Sequence, residues 1–281
     1  MSNIVFSTLR ASYSYMTKTE RRIADVILSQ PQEFIGLTMA AVSRLAQVSQ
    51  GSINNFAEKF FSVGFSALKL QVAGCLAQHT PTPPPQIPTQ DVKASMQRVM
   101  TLADSSFAAT IQLNSEQTLS RVVQRIIKAR KIDIYGVYYS GITARDLCFQ
   151  LIRLGIPANY VEDTFMCAVS ASTMDENSLV IAISSSGRTA EIVDAVQIAR
   201  ENHVPIVSLT TNPFSPLAKI SDEVLLSAAL DTDAKDKDGR IRMAQLFVTD
   251  SLTSYLHSVL QDDPVNRDRL RKFNLSHSIM D

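Results

Sequence analysis

Leu179-Val180-Ile181-Ala182-Ile183-Ser184-Ser185-Ser186-Gly187-Arg188-Thr189-Ala190 runs from an uninterrupted apolar segment through a serine-rich turn into a helical pattern. A short apolar run closed by a glycine-containing turn reads as a buried strand. Outward from it the same alternation repeats. Strands are expected over 131–137, 158–161, 179–183, 206–210 and 224–226, separated by helices over 142–154, 167–174, 190–202 and 216–220. A last helix, 240–260, closes the series. Five strands alternating with helices predict an α/β fold built on a doubly wound, five-stranded parallel sheet. In the flavodoxin-like order 2-1-3-4-5, the loops after the first and third strands flank the switch point, where ligands bind.

Those two loops carry matching chemistry. In Ser184 to Thr189, hydroxyls and free backbone N–H groups stand at the start of a helix, and Gly187 allows close approach. Such a cradle suits a phosphate monoester. The GxxxxGK[ST] pattern is absent, which disfavours a nucleotide triphosphatase. The segment Gly136-Val137-Tyr138-Tyr139-Ser140-Gly141 leaves the first strand in the same manner. The candidate phosphate-binding residues, which the resemblance given below makes phosphosugar-binding, are Ser140, Gly141, Ser184, Ser185, Ser186, Gly187 and Thr189. The plainer reading of the serine run is a polar turn with a capping hydroxyl.

Sugar-phosphate isomerisation would need a positioned base. Glu162, Glu191 and His257 are the candidates, but none forms a spaced pair with a second acid–base group, and Glu191 also fits a first-turn acid on a helix dipole. No metal spacing such as HExxH or HxH occurs, so neither a catalytic residue nor a metal or cofactor is expected. Arg242 and Gln245 on the closing helix fit a solvated face better than a ligand contact. Cys75, Cys148 and Cys167 lie far apart with no CxxC pair, which suits packing in a reducing compartment.

Upstream the pattern is purely helical. A helix carrying Ile23, Ala24, Ile27 and Leu28 is expected to end at Pro31. Two further helices, 39–47 and 51–62, are separated by a short break in the helix-turn-helix manner. With Ile53, Phe56 and Phe60 toward the core, Gln50, Ser52, Asn54, Asn55 and Lys59 face outward; amides can pair with adenine edges and lysine with phosphate. Ser66 is a candidate cap for a fourth helix. A bundle that binds protein, or only supports the second domain, is the competing reading.

Five of the 11 prolines fall between positions 81 and 88, a composition that favours an extended spacer. The expected organisation is a helix-turn-helix domain at 1–78, a linker at 79–90 and an α/β domain at 91–281, which begins with amphipathic stretches at 92–113 and 119–129. Lys+Arg and Asp+Glu both number 27, which excludes a protein held to nucleic acid by bulk positive charge. The balance is not uniform, however: residues 1–78 hold seven cations and four acids, a net +3. So modest a charge calls for dimerisation to reach useful DNA affinity. The N-terminus carries no leader pattern and no long apolar span occurs, so a cytoplasmic protein without membrane contact is expected. Asp231 to Asp238 reads as a loop over the crevice or a surface turn.

The residues together resemble the RpiR family of bacterial transcriptional regulators, an N-terminal helix-turn-helix joined to a C-terminal SIS (sugar isomerase) domain. Val48 to Phe56, Gly64-Phe65-Ser66 and Lys69 are similar to the family's reading helix and following turn. Ile134-Tyr135-Gly136, Ser140-Gly141 and Ala144 resemble its first loop. Ser184 to Thr189 resembles its phosphate loop, and Met243-Ala244-Gln245-Leu246 with Asp250 its closing helix. The resemblance adds Ser49 and Lys69 to the DNA-binding set and places Ser140, Ser184, Ser186 and Thr189 at phosphate-contacting positions. It departs at Asn55, where the family has arginine, and at Phe61, where it tends to glycine. The implied function is a DNA-binding regulator, expected to be a repressor of sugar-metabolism genes, that binds an operator as a homodimer or homotetramer under control of a sugar-phosphate effector. The alternative from another class is a phosphosugar isomerase with a helical N-terminal extension.

Overall fold

The computed structural model describes residues 4–61, 63–77, 91–228 and 237–262. The proline run, His79, His277 and most of 231–238 lie outside the described residues. The chain divides into two compact units, one running to Leu113 and the other beginning at Asn114.

The first unit is all helix: α1 (Ile4–Ser12), α2 (Lys18–Ser29), α3 (Pro31–Gly36), α4 (Met39–Ala46), α5 (Gln50–Phe61), α6 (Phe65–Ala77) and α7 (Val92–Leu113). Helix α2 starts on a capping box in which Thr17 and Glu20 satisfy each other's backbone N–H groups, an arrangement that closes two otherwise orphaned donors. As expected, α2 ends just before Pro31, and the same proline opens α3, where its missing N–H is harmless at the first helical position. Helix α6 begins one residue before Ser66, so that serine is not its cap. The core gathers Ile23, Ala24, Ile27, Phe34, Val42, Ile53, Phe56 and Leu68, with Phe34 and Phe65 edge to face at 5.9 Å. Helix α7 packs on α1 and groups with this unit. The expected division gave 92–113 to the α/β domain; amphipathicity shows that a helix buries one face but not against what.

The second unit contains α8 (Glu116–Lys128) and then β1 (Lys131–Tyr135), α9 (Tyr138–Arg153), β2 (Ala158–Val161), α10 (Thr164–Ala171), β3 (Ser178–Ile183), α11 (Ala190–Glu201), β4 (Ile206–Thr210), α12 (Pro216–Lys219), β5 (Glu223–Leu226) and α13 (Lys237–Asp262). All pairings are parallel, in the order β2-β1-β3-β4-β5. Alternate residues of each strand bury into opposite layers. Ile132, Ile134, Ile181 and Leu209 face Val122, Leu147, Leu151, Val248 and Leu256 on one side. Tyr135, Val180, Ala182 and Ile206 face Cys167, Ala171, Ile192 and Val196 on the other. Helices α8, α9 and α13 thus cover one face of the sheet, and α10 and α11 the other. This is the doubly wound α/β architecture.

Candidate functional site

Because Tyr135 of β1 lies level with Ala182 of β3, Val137 and Ser184 leave the sheet at the same height. The strand order reverses between these two strands, so this is the topological switch point, where a ligand crevice is expected.

The β3 turn is held from behind. The Ser185 carbonyl accepts from the Thr211 N–H (2.9 Å), the Thr211 hydroxyl (2.9 Å) and the Thr210 hydroxyl (3.0 Å). The Gly187 N–H donates to the Ser184 hydroxyl at 3.2 Å, and that hydroxyl lies 3.1 Å from Thr189 Oγ1. Gly187 has φ +60°, and a Cβ there would collide with Ser215, so only glycine serves. Ser184 is buried, Ser185, Ser186 and Thr189 are half-buried, and Arg188 is exposed.

The first loop is tighter than expected. Helix α9 begins at Tyr138, so Ser140 and Gly141 stand in its first turn rather than in a loop. A Cβ on Gly136 would lie 2.9 Å from the Ser140 carbonyl oxygen, and one on Gly141 2.7 Å from the Tyr160 hydroxyl. These close approaches let the chain turn directly from strand into helix. Tyr138, 91% exposed, is left-handed at φ 52°, a conformation costly for a residue with a Cβ.

The caps distinguish this crevice from the other strand-to-helix crossovers. Asp163 caps α10 and Ser215 caps α12, each accepting from a first-turn N–H. At α9 and α11 no side chain caps the helix. The two helices at the switch point therefore present open N–H donors and the positive ends of their dipoles, beside Ser140, Ser184, Ser186 and Thr189.

Gln245, expected on a solvated face, is fully buried. Its Nε2 donates to Ser140 Oγ at 3.2 Å, and its Oε1 accepts from the Thr143 hydroxyl at 3.3 Å. The same seam between α9 and α13 continues with Gln150 donating to Asp250 at 2.7 Å. At its other end the Arg242 guanidinium lies 5.9 Å from the Tyr139 ring.

The acid–base candidates are not gathered. Glu162 is exposed and pairs with Arg145 at 2.8 Å, His257 contacts Gln261 at 2.9 Å, and Glu191 is exposed. A cleft of about 770 Å³ lies on the β2 side of the first loop, lined in part by Tyr138, Gly141, Arg145 and Tyr160, and does not include the Ser184–Thr189 turn. All three cysteines are buried. Burial, then the charges of Asp133 and Asp163, pushes the Cys167 thiol up to about 12. Among the described residues no cluster of metal-type ligands occurs, and no helix is long and apolar enough to cross a membrane.

In the first unit, α4 and α5 are joined by Gln47, Val48 and Ser49, with Gln47 left-handed at φ 52°. Ser43 accepts the Val48 N–H through its carbonyl at 3.1 Å and donates its hydroxyl to the Val48 carbonyl. Ser49 acts as a cap, accepting the Ser52 N–H at 3.1 Å. Gln50, Asn55 and Lys59 are exposed; Ser52 and Asn54 are half-buried. The expected orientation of α5 is therefore the observed one, with Ile53, Phe56 and Phe60 inside.

Two of the expected phosphate contacts are engaged elsewhere. Lys59 Nζ bonds Glu20 at 2.6 Å, tying α5 to the capping box of α2, and Lys69 Nζ donates to the Leu37 carbonyl at 2.8 Å. Neither pairing can be read locally, since the partners lie 39 and 32 residues away.

Comparison with known proteins agrees with both units. The description "Helix-turn-helix domain, rpiR family" matches residues 4–79, and "SIS domain" matches residues 125–254. An HTH-type transcriptional regulator of Caldanaerobacter subterraneus is 31% identical over 249 residues, 88% of each chain. HexR of Escherichia coli, also an HTH-type transcriptional regulator, is 29% identical over 251 residues, 88% of this chain and 85% of that one. The structure of the Vibrio vulnificus NanR protein complexed with ManNAc-6P superposes with a TM-score of 0.60 at 28% identity, covering 98% of this chain and 97% of that one. With an open-capped crevice in a five-stranded parallel sheet and a helix-turn-helix ahead of it, the chain belongs to the rpiR family of helix-turn-helix transcriptional regulators that carry a SIS domain.

Proposed function

We propose that the chain is a cytoplasmic repressor of sugar-metabolism genes whose operator affinity is set by a phosphorylated sugar bound at the switch-point crevice. One observation carries the effector assignment: α9 and α11 lack side-chain caps where α10 and α12 have them, and the open donors stand beside four hydroxyls. An anion with several acceptor oxygens satisfies these groups. Ser140, Gly141, Ser184, Ser185, Ser186, Gly187 and Thr189 form this site. That the Vibrio vulnificus NanR structure contains ManNAc-6P supports the ligand class.

The outward amides of α5, exposed at Gln50 and Asn55 and half-buried at Asn54, support base readout. Gln50, Asn54 and Asn55 are its readers, with Ser52 beside them. Ser49 fixes the start of the helix. Lys59 and Lys69 reach phosphate only by exchanging their protein partners. DNA reading is assigned to the chain ahead of residues 79–90 and effector binding to the chain after them.

The scattered positions of Glu162, Glu191 and His257 favour a binding protein over an isomerase. Self-association is supported by the large apolar side chains left exposed on α9, Ile142, Phe149 and Ile152, which helical spacing brings toward one side of that helix and which suit an interaction surface. A dimer also doubles the small positive charge available to an operator. Operator binding measured with and without a panel of hexose and amino-sugar phosphates tests the proposal. A change in affinity that requires the phosphate supports it; turnover of a sugar phosphate abolished by Glu162→Gln or Glu191→Gln would favour the isomerase.

A further inference from the structure

Gln245 is a buried amide on α13, and its two ends are divided between two hydroxyls of α9. We infer that Gln245 is the positioning residue for the effector phosphate: it aims the Ser140 hydroxyl hydrogen into the crevice. The inference rests on the reading of Ser140 as an effector contact.

A serine hydroxyl has one hydrogen to donate and two lone pairs to accept with. Ser140 Oγ accepts from Gln245 Nε2 at 3.2 Å, so its single hydrogen is not spent on that contact. In a helix, a serine commonly turns this hydrogen back to the carbonyl four residues earlier. Here that carbonyl, Gly136, takes the Tyr160 hydroxyl at 3.2 Å and no bond from Ser140, whose hydroxyl, among the described residues, contacts Gln245 alone. Ser140 is only 8% exposed, so solvent does not set its direction. The other end of the amide, Oε1, accepts from the hydroxyl of Thr143, which is fully buried, so Nε2 is the end that faces Ser140. The chain Thr143, Gln245, Ser140 thus runs donor to acceptor in one direction and ends on a hydrogen that points where an anion would sit. Reversing the amide would consume that hydrogen and leave the crevice facing a lone pair, which repels phosphate.

Gln245→Met keeps the volume and removes both polar ends. Measured by calorimetry on the full chain, the affinity for ManNAc-6P or glucose 6-phosphate should fall about tenfold, the scale of one hydrogen bond to a charged group. Any binding of the unphosphorylated sugars should not change. Gln245→Glu, which can only accept while ionised and brings a negative charge, should lose more. Thr143→Val leaves Gln245 and Ser140 in place and should give a smaller loss, which keeps the inference testable if substitutions of Gln245 unfold the chain. In a Ser140→Ala background, Gln245→Met should cost nothing further, because the hydroxyl it aims is gone.

Wild-type affinity retained in the Met, Glu and Val variants would overturn the inference alone. So would an equal loss from Gln245→Met with and without Ser140, which marks a packing role. A wild-type chain that binds neither phosphate would overturn the effector reading and this inference together.

Discussion

Helix α5 and the Ser184–Thr189 turn offer polar groups to solvent by opposite means. On α5 the groups are side-chain tips on a regular helix, and the backbone beneath them is ordinary. In the turn they are backbone N–H groups and short hydroxyls, held by a glycine with positive φ and by three bonds to one carbonyl. A surface of the first kind tolerates substitution of its scaffold and changes specificity when its tips change. A site of the second kind is part of the fold, so its residues cannot be exchanged without a structural cost. The two regions should therefore fail differently when mutated.

The largest expected effect is at Gly187. Gly187→Ala forces a Cβ into Ser215 at a positive φ and should destabilise the second unit by about 3 kcal/mol, read as a lowered denaturation midpoint. If the variant is as stable as wild type, the turn is not built as described.

Ser184→Ala combined with Ser186→Ala removes two hydroxyls while leaving the backbone donors. Effector response should be lost, with operator binding intact in a gel-shift or anisotropy titration. Loss of operator binding by a folded double mutant would break the division between the two regions.

On α5, Asn55→Ala should weaken operator binding about tenfold, within the range for one base-reading amide, while leaving affinity for sugar phosphates and the midpoint of unfolding unchanged. An equal loss on random DNA would mean that Asn55 touches backbone and not bases.

The smallest effect concerns Lys59. Burial works to raise the Glu20 pKa, but the Lys59 hydrogen bond, the Thr17 contacts and the Lys59 charge outweigh it and the net shift is downward. A carboxylate whose folded pKa is lowered contributes stability that is fully present above its unfolded value, near about 4.3, and is lost as pH falls through the lower folded value. Glu20→Gln should flatten that acid limb of an unfolding titration. At neutral pH it should change stability by no more than about 1 kcal/mol, because the pair is partly exposed.

The strands were legible because a buried parallel strand is an unbroken apolar run, as in Leu179 to Ile183, and the Ser184–Thr189 turn because serines and glycine interrupt that run abruptly. Helix α5 was legible because its buried Ile53, Phe56 and Phe60 keep helical spacing. Other features were not, for physical reasons. Helix α1 is short and lies before the first clear cap, Thr17. Pro31 reads as a stop when it also permits a start. Gly136 and Gly141 read as loop residues, but their glycines serve close packing against Ser140 and Tyr160, so the helix begins earlier. The membership of α7 depends on its contact with α1, far back in the chain. Gln245 is polar on an amphipathic helix, and only tertiary structure shows that its partners are buried hydroxyls. Lys59 and Lys69 likewise differ from free cations only through distant partners.

The central claim is that a phosphate held by the open caps of α9 and α11 changes how the reading helix engages DNA. Coupling of this kind requires the effector to bind one arrangement of the chain more tightly than another. The most direct measurement is operator affinity with and without ManNAc-6P, glucose 6-phosphate and their unphosphorylated sugars, for wild type beside the Ser184→Ala, Ser186→Ala variant. At least one phosphorylated sugar should shift wild-type affinity by about fivefold or more, with no shift in the variant. A shift of the same size in both proteins, or none above about twofold with any phosphate in the wild type, would contradict the account.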